Sequence, residues 1–108
     1  MTPSDVQNPV GPDAPALAIA GEFNIFTAMD TKARILDAIS NTPYSPEGEI
    51  GIDLSQVTDI DSAGLQLMVM ARREALRQGK RVQFLRCSET VADIVALCDM
   101  ADYLGISA

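Results

Sequence analysis

The chain has 108 residues, a 47% share of hydrophobic residues and a formal net charge of −7, the size and composition of one globular domain with a single core. That acidic balance argues against DNA or RNA as a partner, because nucleic-acid affinity rests on Lys and Arg neutralising phosphates. Histidine is absent, which excludes Ser-His-Asp and Cys-His nucleophile arrangements, and two cysteines alone fall short of a tetrahedral metal set.

Residues 1–15 carry Pro3, Pro9, Gly11, Pro12 and Pro15 with little periodic apolar content, so a flexible N-terminal arm is expected there, with the domain over 16–108. The first residues lack the basic and apolar regions of a signal peptide, and no run approaches the roughly 20 apolar residues of a bilayer span. A cytoplasmic setting without membrane insertion is therefore expected. Ala16 to Ala20 reads as a short strand ended by Gly21-Glu22, and Phe23 to Phe26 leads into a helix. Thr27 is expected to cap that helix, with Asp30 reaching back and Ala28, Ile35 and Ile39 along one side. It should stop near Ser40-Asn41, because Thr42 to Gly48 is rich in turn residues.

Ile50 to Leu54 alternates in the strand period and is expected centrally in the sheet, running into an acidic loop that ends at Asp61. Ser62 then opens a helix with Leu65, Met68, Val69, Arg72 and Leu76 on one face and Gly79 as C-cap. Arg81 to Arg86 reads as the next strand, with Val82 and Phe84 in phase. Ser88 should cap a last helix carrying Val91, Ile94, Val95 and Cys98 at helical spacing, and a short turn follows at Tyr103 and Leu104. Strands alternating with helices spell an α/β sandwich, and right-handed crossovers make neighbouring strands parallel.

Four features bear on function. Ser62 is placed to cap its helix, and also to accept a phosphate, which adds about −1.5 to −2 charge beside Asp59 and Asp61 at a helix end that favours anions. Asp53, Asp59 and Asp61 read either as a solvated acidic loop or as a carboxylate site for Mg²⁺ or phosphoryl transfer. Leu67, Met70 and Ala71 form an apolar line off the core face, which fits either a contact patch running from Ser62 or a helix buried on two sides. Arg72, Arg73, Arg77, Lys80, Arg81 and Arg86, six of the eight basic residues, read as a docking face for an acidic partner or as a solvated face. Cys87 and Cys98 are expected as reduced thiols with packing roles.

Asp53-Leu54-Ser55 through Asp61-Ser62-Ala63-Gly64-Leu65, with Gly21-Glu22-Phe23-Asn24 before it, resembles the STAS family of sulfate transporters and anti-sigma factor antagonists over about residues 16–106. The first segment matches the family's D-S-[SA]-G phosphoacceptor and the second is similar to its G-E-L-D turn. The resemblance implies a single small α/β domain, with a mixed β-sheet of about four strands packed with about four helices. It also implies a non-catalytic regulator without cofactors that binds an anti-sigma factor acting as a serine kinase of histidine-kinase-like ATPase fold. Phosphorylation at Ser62 would break that complex, and a PP2C-type phosphatase would restore it. The implied partner surface comprises Glu22, Asn24, Asp59, Asp61, Ser62, Ala63 and Gly64, with Gln66, Leu67 and Met70 on the helix. Two departures stand out: Asn24 replaces the usual aspartate, and the family's first strand is hard to find before Ala16.

The leading expectation is thus partner switching in transcription control. The alternative is a STAS subunit that docks on the ATPase of a lipid-transporting ABC transporter without phosphate turnover. An enzyme or nucleotide-binding protein using the acidic loop is a third class, which calorimetry with nucleotides and Mg²⁺ would detect.

Overall fold

The computed structural model describes residues 15–43 and 48–106. The elements run β1 (Leu17–Phe23), α1 (Ala28–Asn41), β2 (Ile50–Ile60), α2 (Ser62–Arg77), β3 (Val82–Leu85), α3 (Glu89–Leu97) and α4 (Ala101–Leu104). Among the described residues the sheet has three strands in the order β1-β2-β3, and both pairs are parallel. The expected α/β class and four helices are present, and among the described residues the sheet has three parallel strands where a mixed sheet of about four was expected. The cause is connectivity: each link from one strand to the next carries a helix, and such crossovers return the chain in the same direction. The expected arm over 1–15 lies outside the described residues apart from Pro15, as does the part of the turn over 44–47.

Right-handed crossovers in this strand order bring α1 and α2 to one face of the sheet, where they pack on each other, while α3 packs along β2. Between the layers lie Ile19, Phe23, Ile35, Ile39, Ile52, Leu54, Met68, Val91 and Val95, all almost wholly shielded from water. Each such side chain contributes about 1.5–3 kcal/mol of transfer free energy. In β1 the alternation is clean, with Ile19 and Phe23 turned inward and Ala18, Ala20 and Glu22 exposed. The strand does not stop at Gly21-Glu22 as expected, because Gly21 takes a positive φ of 76° and carries the chain on to Phe23.

The expected acidic loop is a strand. β2 continues to Ile60, eleven residues in all, but two irregularities each place an extra residue in it: Ala18 and Ala20 pair with Asp53 and Gln56, and Gly21 and Glu22 pair with Val57 and Asp59. These shifts space the inward residues Leu54, Val57 and Ile60 three apart, which hides the period of two. At the first shift Asp53 accepts from the Ser55 N–H at 2.8 Å and pairs with Arg86 at 2.8 Å.

α2 is buried on two sides. Gly64, Leu65, Met68, Ala71 and Ala75 are buried, and so is Leu67, only 8% exposed. Leu76, expected on the core face, is 53% exposed. Gln78 ends the helix, and Gly79 follows with φ 77°, one position later than the expected C-cap role. Ser88 caps α3 as expected, accepting from the Val91 N–H at 3.2 Å.

Candidate functional site

The carboxyl ends of β1 and β2 and the N-termini of α1 and α2 meet at one corner, and most of the expected site residues converge there. Asn24 organises the turn after β1. Its Nδ2 donates to Asp59 Oδ2 at 2.7 Å, its Oδ1 accepts from the Phe26 N–H at 3.0 Å, and its own N–H donates to Thr27 Oγ1 at 3.1 Å. Asn24 is only 6% exposed, so it scaffolds the corner. It also explains the absent aspartate: a carboxylate at this position would stand against that of Asp59. Thr27 is correspondingly diverted. Its hydroxyl donates to the Glu22 and Asn24 carbonyls and makes no cap for α1, which overturns the expected pairing with Asp30.

Asp61, not Ser62, caps α2. Its Oδ1 accepts from the Ala63 and Gly64 N–H groups at 2.9 and 3.2 Å, while Oδ2 accepts from the Ile25 N–H at 3.1 Å. One carboxylate thus fastens the start of α2 to the turn that leads into α1. Desolvation alone pushes this carboxyl up, but the N–H groups of Ile25, Gly64 and Ala63 outweigh it and hold Asp61 below the usual carboxylate value. The correction follows from backbone geometry: Asp61 has the extended conformation of a cap residue, and Ser62 is the first helical residue.

Ser62 is therefore exposed with an uncommitted hydroxyl, which hydrogen-bonds to no described residue. Gly64 is not an opening beside it, as expected, but a buried contact. A Cβ there would collide with the Phe23 carbonyl oxygen and come within 2.8 Å of Ile60 Cγ1, so the missing side chain lets α2 sit directly on the end of β1. Ala63 is half-buried, and Gln66, Glu22 and Asp59 are exposed. Glu22 and Asp59 are paired across the strands, which makes the rim acidic.

Leu67 and Met70 do not extend this surface. Leu67 is buried with Ala71, and Met70 is half-buried against the core, so the apolar line belongs to a helix covered on two sides. At this corner the exposed large apolar side chains are instead Ile25, Phe26 and Met29. Of these only Met29 lies in α1, off the stripe of Ala28, Ile35 and Ile39, while Ile25 and Phe26 precede the helix.

Asp53, Asp59 and Asp61 do not form a common site. Asp53 is tied to Arg86 and Ser55, Asp59 to Asn24, and Asp61 to three N–H groups; among the described residues no group of acids and cysteines is arranged to hold a metal ion. Most of the basic segment has work in the fold. Arg72 lies 5.2 Å from the centroid of the Tyr103 ring, Arg77 pairs with Glu74, Lys80 Nζ donates to the Ile39 carbonyl at 2.7 Å, and Arg86 pairs with Asp53. Both cysteines are free. Cys87 is half-buried, and burial followed by the nearby Asp53 charge pushes its thiol up; Cys98 is exposed, past the end of α3, without the packing role expected.

Fold and corner together define a class of protein: a parallel α/β sandwich that presents an exposed serine at a helix start. A family model described as "Mlab, STAS domain" matches residues 8–106. The chain belongs to the STAS family. Among solved structures, a sulfate transporter family protein from Wolinella succinogenes is similar, 15% identical with a TM-score of 0.63 over 88% of this chain and 82% of that one. At that identity the likeness speaks for the fold alone. No curated protein sequence matches. Among the described residues no helix is long and apolar enough to cross a membrane.

Proposed function

We propose that this chain is a non-catalytic partner-switching regulator of the anti-sigma antagonist type, acting in the cytoplasm and turned off by phosphorylation of Ser62. The observation that carries the reading is the uncommitted Ser62 hydroxyl: capping by Asp61 leaves it exposed at the first position of α2. A serine kinase that acts here brings its nucleotide phosphates against Ser62 Oγ. The Oγ–P bond forms as the bond from the γ-phosphorus to the β-bridging oxygen breaks, and the hydroxyl proton passes to the kinase. The new phosphate then faces the phosphates that remain on the nucleotide, beside Asp61 and Asp59, so the product complex is the repulsive one. Removal of the phosphate by a PP2C-type phosphatase resets the surface.

Incubation of the protein with ATP and a serine kinase of histidine-kinase-like ATPase fold from the same genome is expected to modify Ser62 and dissolve the complex. Unchanged binding after stoichiometric modification of Ser62 would refute this reading. A second reading is docking on an ABC transporter ATPase without phosphate turnover. It is favoured by the exposed Ile25, Phe26 and Met29, a contact surface whose attraction needs no phosphate.

A further inference from the structure

Three large apolar side chains stand in water at the corner that carries Ser62. Ile25 is 63% exposed, Phe26 89% and Met29 88%, and they follow one another through the turn after β1 and the first turn of α1. The other exposed large hydrophobics are dispersed: Leu76 near the end of α2, Leu97 at the end of α3 and Tyr103 in α4. Isolated exposed apolar residues are ordinary, whereas a contiguous group edged by polar residues marks a contact site.

The turn is also rigid where it bears these side chains. Phe26 N–H is held by Asn24 Oδ1, Ile25 N–H by Asp61 Oδ2, and Thr27 N–H by the Asn24 carbonyl at 3.1 Å. Preorganised aromatic and apolar anchors lose little entropy on binding, which is why such residues dominate interface energetics. Asp61 joins this group to the phosphoacceptor, since the carboxylate that fixes Ile25 also caps the helix that Ser62 begins.

Charge decides what covers the patch. Asp30 follows Met29 in the chain, and Glu22 and Asp59, paired across the strands, end the strands that lead into the corner; all three are exposed, with Lys32 one turn beyond Met29, and the whole chain carries −7. A second copy docked face to face would set these carboxylates against their equivalents, so self-association is disfavoured here. We propose that Ile25, Phe26 and Met29 are the anchor of the partner complex, seated in an apolar cleft of the kinase that is edged by Lys and Arg. This rests on the reading that the Ser62 corner binds a serine kinase. The anchor supplies affinity and the acidic rim supplies steering, while Ser62 decides whether the seated complex persists.

The test uses the full chain and a serine kinase of histidine-kinase-like ATPase fold from the same genome. Affinities are measured for the wild type, the Phe26→Ser/Met29→Ser double variant and Ser62→Asp, together with the thermal unfolding and sedimentation of each form. The double variant is expected to bind about thirtyfold more weakly, the scale of a hot-spot loss, with its unfolding temperature unchanged because both side chains are already exposed. Wild-type-like binding by the double variant, alongside weakened binding by Ser62→Asp, would overturn the anchor and leave the phosphoserine switch standing. No binding by the wild type would remove the switch, and the anchor with it. A wild-type dimer that the double variant dissolves would overturn the anchor in favour of a second copy as occupant.

Discussion

Gly64 offers a prediction whose sign separates two physical accounts. A glycine in the first turn of a helix normally costs about 1 kcal/mol relative to alanine, so Gly64→Ala should stabilise the protein if nothing else acted there. In this fold the added Cβ meets the Phe23 carbonyl oxygen and lies 2.8 Å from Ile60 Cγ1. The first obstacle is backbone and has no rotamer through which to yield, so α2 must shift away from β1. Overpacking of this kind costs about 1–3 kcal/mol, with the upper end apt for a backbone obstacle. Against the 1 kcal/mol of propensity regained, the variant is expected to be about 1–2 kcal/mol less stable, a five- to thirtyfold change in the unfolding equilibrium. Urea denaturation read by circular dichroism measures it, with a lower midpoint at unchanged slope. A Gly64→Ala protein more stable than wild type would refute the close approach of α2 to β1 and the corner built on it.

Four other outcomes follow, three of them from the same corner. Asp61→Ala should cost about 1 kcal/mol for the lost cap, and faster amide exchange is expected at Ile25, Ala63 and Gly64; Ser62→Ala should leave urea stability within about 0.5 kcal/mol of wild type, because its hydroxyl caps nothing. Asn24→Asp should destabilise by roughly 1.5 kcal/mol near neutral pH through the lost donor and a carboxylate facing Asp59. That repulsion raises the folded-state pKa of the pair, so the deficit should shrink as pH falls through the raised value, which denaturation at pH 7 and pH 4 would show. In the wild type, Arg77 and then Gln78 hold Glu74 down from 4.5 to about 2, and Asp61 and Asp53 are also depressed. These groups bind more protons when unfolded, so their contribution to stability should be complete above about pH 5 and fall steadily toward pH 2. Stability rising on acidification over that interval would contradict the assignments.

The elements that packing and caps dictate were legible in the sequence. The stripe of Ile35 and Ile39, the Ser88 cap and the alternation of Ile50, Ile52 and Leu54 each follow a local rule, and the order of strands and helices yielded the sandwich. What escaped depends on contacts between distant segments. Two register shifts in β2 disguised its second half as a loop, because inward residues three apart do not read as a strand. The cap passed from Ser62 to Asp61 because adjacent residues were both suited to it and only backbone conformation chooses. Asn24 is legible solely beside Asp59, thirty-five positions away. Leu67 and Met70 were drawn to the surface by assuming one buried face for α2, while Ile25 and Phe26, in the turn before α1, and Met29, off its stripe, were left unassigned.

Ser62 is the proposed point at which one modification decides binding. Its most direct measurement is the affinity of a serine kinase of histidine-kinase-like ATPase fold, from the same genome, for unmodified protein and for protein carrying a phosphate on Ser62 confirmed by mass spectrometry. Phosphorylated protein is expected to bind at least about tenfold more weakly, the effect of one unfavourable charge placed inside an interface, and treatment with a PP2C-type phosphatase should restore the original affinity. Equal affinity of the two forms would contradict the central claim.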